Sequence, residues 1–133
     1  MKAIIPWVRT IISFPLGMAA IMLFHSGALL IFPSAYGEVD NDLIRSLSLT
    51  LTFAAGVFGS VIVGVVAGHR IWLHMALFFA IALVIDISAI NGELAAQPLW
   101  FKALVIATLP VQMWLGARLV LLIHPKGNLP AAT

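Results

Sequence analysis

The chain has 133 residues, 62% of them hydrophobic and only 9% charged. Soluble domains carry about a quarter charged residues, so this composition predicts a polytopic membrane protein with one membrane domain over 1–133 and no soluble domain beside it. The formal net charge of +2 is too small for a nucleic-acid footprint, and the absence of cysteine excludes disulfides, thiolate metal sites and cysteine nucleophiles.

Apolar runs at about 10–32, 46–68, 71–90 and 98–123 predict an all-α bundle of four transmembrane helices, since backbone in lipid must satisfy its own hydrogen bonds. None of these runs alternates polar and apolar residues as a membrane β-strand does. The first run is too long for the apolar region of a signal peptide, about 7–15 residues. That argues against reading Ala35-Tyr36-Gly37 as a cleavage site. Pro15 inside this run predicts a kink, as does Pro110 in the fourth.

The second run carries a small residue at every fourth position: Ser48, Thr52, Gly56, Ser60, Gly64 and Gly68. Small residues let helices approach closely in lipid. Steps of four drift against a 3.6-residue turn by roughly 200° from end to end. The two halves of the ladder should therefore meet different neighbours: either two helices of the same chain, for instance the first and third, or one such helix and a second copy of the protein.

The connections set the orientation. Lys2, Arg9, Arg70, Arg118 and Lys126 fall on one side, and Arg45 and Lys102 on the other with Glu38, Asp40, Asp42 and Glu93. The positive-inside rule places both termini in the cytoplasm, with a bacterial inner (cytoplasmic) membrane as the expected location. Trp7, Trp72 and Trp114 then sit towards the inner interface, and Tyr36 and Trp100 towards the outer one.

Ionisable residues within a span are the default functional candidates. Asp86 and Lys102 lie eight residues either side of Leu94, in the turn between the third and fourth spans. Matched depth predicts an Asp86–Lys102 ion pair within about 4 Å. His25 lies at a similar depth, as do Ser48 and Thr52, so all four spans offer a polar group to one layer: His25, Ser48, Thr52, Asp86 and Lys102. That layer is either a hydrogen-bonded lock or a proton site in which His25 exchanges a proton with Asp86 near neutral pH. His74 reads as an interfacial residue, and His69 and His124 as headgroup contacts. Mid-span Gln112 can hydrogen-bond a neighbouring helix, at ~0.6 kcal/mol. His25 and His74 fall in different halves of the membrane and cannot flank one porphyrin, which leaves only a single His25 to touch a haem or pigment edge. No phosphate loop, paired-carboxylate site or H-E-x-x-H pattern is present, so neither an enzyme nor a cofactor or metal site is expected.

Two weak motifs, Gly64-Val65-Val66-Ala67-Gly68-His69-Arg70 and Leu115-Gly116-Ala117-Arg118, together with the hydropathy outline, resemble those of uncharacterised small four-span bacterial membrane proteins. That resemblance implies a fold outline and no activity. The chain departs from the small multidrug-resistance transporters, whose hallmark is a membrane carboxylate in the first helix; here the first span has no acidic residue and the candidate is Asp86 in the third. The leading expectation is a structural or accessory subunit, with the bilayer and other membrane subunits or a second copy as partners and no nucleic acid. The alternative is a small proton-coupled transporter or channel component using Asp86 and His25.

Overall fold

The computed structural model describes residues 4–33 and 41–125. Lys2, the segment 34–40 with Ala35, Tyr36, Gly37, Glu38 and Asp40, and Lys126 lie outside the described residues. Four helices follow one another: α1 (Ile4–Ile31), α2 (Asp42–Ala67), α3 (Ile71–Asn91) and α4 (Leu99–Ile123). Each is long and apolar enough to cross a membrane.

The helices extend past the uncharged runs because their end turns accommodate charge. Asn41 caps α2 through its side chain, which accepts from the Leu43 amide at 2.8 Å, and Asp42 sits in the first turn where the helix dipole favours an acid. Arg45 pairs with Asp42 at 3.1 Å and donates to Gln97 Oε1 at 3.1 Å, which ties the start of α2 to the α3–α4 turn. At the opposite end of α2, Arg9 Nε donates to the Val66 carbonyl at 2.8 Å. One of the helix's unsatisfied terminal carbonyls is thereby capped by α1. Gly68 closes α2 with φ +69°, a left-handed angle that a glycine adopts without steric cost. Arg70 takes the same region at φ 44°, ψ 49° with a full side chain. Left-handed backbone costs a non-glycine residue roughly 1–2 kcal/mol. Pro15 and Pro110 lie inside their helices, and neither ends one.

α2 is the central element and packs against all three others. Its ladder answers a second one on α4. A Cβ added to Gly56 would overlap the Gln112 amide, one on Gly116 would overlap Ser60, and one on Gly64 would press on Val120. Positions 56, 60 and 64 thus meet 112, 116 and 120 in the same order, so α2 and α4 run parallel with their four-residue ridges interlocked. The drift along α2 appears at the ladder's ends, where Ser48 and Thr52 turn to a cleft and Gly68 lies under Arg9. The first and third spans suggested as partners for the ladder are therefore replaced by α4 over its middle. α1 reaches α2 elsewhere, through Gly17 against Gly59 and Val63.

The dry core is built by α2, α3 and α4: Val63, Ile71, Met75, Phe78, Leu109, Met113 and Val120 among others, with Phe14, Met18 and Ile21 of α1 packed against it. It occupies the middle of the bundle and the half towards the α2–α3 turn. α1 meets α3 there, where Phe14 stacks on His74 at 5.9 Å and on Phe78 at 6.4 Å between ring centroids. Towards the α3–α4 turn the same two helices part.

Candidate functional site

Where α1 and α3 part, a cleft of about 450 Å³ opens, and its walls come from all four helices. α1 contributes His25 and Ser26, α2 contributes Ser48 and Thr52, α3 contributes Asp86, and α4 contributes Phe101. A narrower extension of about 200 Å³ shares His25, Thr52 and Asp86 and ends against Gly56, Gln112 and Met113. Below it, Phe78 and Val63 are fully buried, so the cleft has a floor.

Four of the five residues expected in a polar layer thus line one cavity: His25, Ser48, Thr52 and Asp86. Lys102 does not join them. Its ammonium donates to the Ala95 carbonyl at 2.6 Å, in the α3–α4 turn, and the expected Asp86–Lys102 ion pair is not formed. Helical geometry gives the reason. Every Cα–Cβ bond leans towards its own helix's N-terminus. In an antiparallel hairpin two residues at equal depth therefore lean apart. Asp86 leans towards the middle of the bundle, and Lys102 towards the turn.

Asp86 accepts no hydrogen bond from any described residue, and it is only partly buried, facing the cleft. Glu93 adds a second carboxylate to the same wall, and among the described residues no lysine or arginine lines it. Low-dielectric walls of one charge sign focus the field in such a cleft and draw cations towards it. Glu93 reads in the sequence as a loop charge. It lies just past the end of α3, in the turn to α4, and no periodicity in the sequence marks it for the cleft. Phe101, fully packed at the base of the α4 wall, has no such signal in the sequence either.

Two further histidine and glutamine expectations change. His74 is packed inside the bundle rather than on its outer surface. It is 2% exposed, its Nδ1 donates to the Arg70 carbonyl at 3.1 Å, and its Nε2 meets Thr10 Oγ1 at 3.0 Å. The polar partner on α1 could have been sought at Thr10, one turn from Pro6, whose carbonyl lies 3.0 Å from the same hydroxyl. Gln112 makes its hydrogen bond within its own helix, to Thr108 Oγ1 at 3.2 Å, and contacts α2 by laying its amide on Gly56. His69 lies in the α2–α3 turn, with Nδ1 donating to the Ala67 carbonyl at 2.7 Å and its ring edge-on to His74. Among the described residues no group of three or more His, Asp or Glu side chains could hold a metal ion. No family model, curated protein or solved structure matches the chain.

Proposed function

We propose that the chain is a small proton-coupled carrier or channel component of the bacterial inner membrane, with the Asp86 cleft as its working site. The observation that carries this reading is a carboxylate that has no hydrogen-bond or ion-pair partner among the described residues, held in a cleft that every helix helps to build and from which the nearby lysine is turned away. Carboxylates at membrane depth are costly and are retained where they move protons or bind cations. Asp86 would take up and release the proton, Ser48 and Thr52 would supply hydroxyls to a solute or water file, and His25 would serve as the second proton-exchanging group. With both termini in the cytoplasm, as the lysine and arginine distribution favours, the cleft opens outwards and the packed Phe14–Phe78 layer separates it from the cytoplasm.

An accessory subunit, which the lack of catalytic motifs and of a soluble domain also suits, would find a docking face in any small-residue surface left over. Over the middle of the ladder Gly56, Ser60 and Gly64 are buried against α4 and offer no such face. Purified protein in proteoliposomes with an internal pH dye provides the test. Wild type should pass protons under an imposed gradient, and Asp86→Asn should lose that flux while eluting and melting as the wild type does. Equal flux from the two proteins, or none from the wild type, would overturn the proposal.

A further inference from the structure

At the opposite end of the bundle, a second cavity of about 410 Å³ lies between the start of α1 and the start of α3. Trp7 and Thr10 form one wall, Leu73 and Leu77 the other, and His69 and Arg70 of the α2–α3 turn form its polar rim. Three arginines lie at this end, and two of them are engaged. Arg9 caps α2 carbonyls, and Arg118 lies over the Trp114 ring at 5.4 Å. The Arg70 guanidinium makes no hydrogen bond or ion pair with any described residue, although the backbone of Arg70 is held in the left-handed region. His69 is held in the turn by its Nδ1 bond to the Ala67 carbonyl and supplies a polar ring to the rim. No acidic residue lies in this half of the described chain; Asp42, Asp86 and Glu93 are all in the other.

We infer that this cavity binds an anionic phospholipid, with the headgroup phosphate on Arg70 and an acyl chain along Trp7, Leu73 and Leu77. A guanidinium offers a phosphate two parallel donors, the Arg70 charge has no described acidic residue beside it, and Trp7, Leu73 and Leu77 supply apolar walls, so the cavity matches both halves of such a lipid. The inference is independent of the proton-coupled reading, because none of these residues lines the Asp86 cleft.

Arg70 also provides an unusual test, because the substitution that removes its charge should help the backbone. Arg70→Gly places glycine at a left-handed angle and relieves the strain. We would compare melting in phosphatidylcholine nanodiscs with and without phosphatidylglycerol. The wild type should gain several degrees from phosphatidylglycerol, since a ligand bound only to the folded state raises its stability. Arg70→Gly should start higher in phosphatidylcholine yet lose most of that gain, and Arg70→Gln, which keeps a side chain at the same angle, should lose it too. A full gain in both variants, or none in the wild type, overturns the inference. So does an equal gain from inorganic phosphate in phosphatidylcholine alone, which would assign the rim to a soluble anion.

Discussion

Depth along a helix and direction away from it are separate properties of a side chain, and the Asp86–Lys102 pair turns on the difference. Counting from Leu94 finds the common depth, yet the ammonium goes to Ala95 O at 2.6 Å because helical side chains lean towards the N-terminus of their own helix. Removing one member of a buried ion pair costs about 3–5 kcal/mol. No such penalty applies here: Lys102→Met should change stability by about 0.5 kcal/mol or less, and the double-mutant coupling with Asp86→Ala should be close to zero. Reversible unfolding in mixed micelles measures both. The membership of His25, Ser48, Thr52 and Asp86 in one layer was legible in the sequence, because each follows from distance to a span end. The burial of His74 was not: it depends on Thr10 and Phe14 of α1 arriving at the same place, 64 residues away in sequence for the Thr10 contact.

At the scale of elements, the contact between α2 and α4 shows what a four-residue pattern of small residues leaves undetermined. The spacing announces a ridge that another helix can approach. It does not say which helix, since α4 offers a matching row only when Gln112, Gly116 and Val120 are seen to face it. The parallel alignment of these two helices is likewise a property of the assembled bundle. Overpacking such a seam typically costs about 1–3 kcal/mol. Gly116→Ala, whose new methyl would strike Ser60, should therefore destabilise the fold by that amount. Gly27 sits inside α1 with open space around its missing Cβ. Gly27→Ala should be neutral or stabilise by up to about 1 kcal/mol through helix propensity alone. Measured side by side, the two substitutions separate packing from propensity; equal effects would mean that the α2–α4 approach is looser than described.

For the whole molecule, hydropathy was enough to give four helices, since each must satisfy its backbone in lipid. Their lateral order was hidden for a related reason: helices facing lipid on one side and protein on the other are apolar all round, so no amphipathic stripe marks the buried face. What the bundle adds is a closed middle: α1 and α3 leave a cavity at each end, with the carboxylates at the α3–α4 end, and are sealed by Phe14, Phe78 and the surrounding core between them. The chain has no cysteine of its own, so each introduced thiol reports one position without background. Ser48→Cys and Ala89→Cys line the cleft and should react with a membrane-impermeant maleimide, whereas Val63→Cys, at 0% exposure in the core, should not. In sealed vesicles the reagent should reach the two cleft thiols only from the side opposite the termini. Labelling from the termini side would reverse the orientation, and labelling of Val63→Cys would mean that the central layer admits water and does not separate the cleft from the other side.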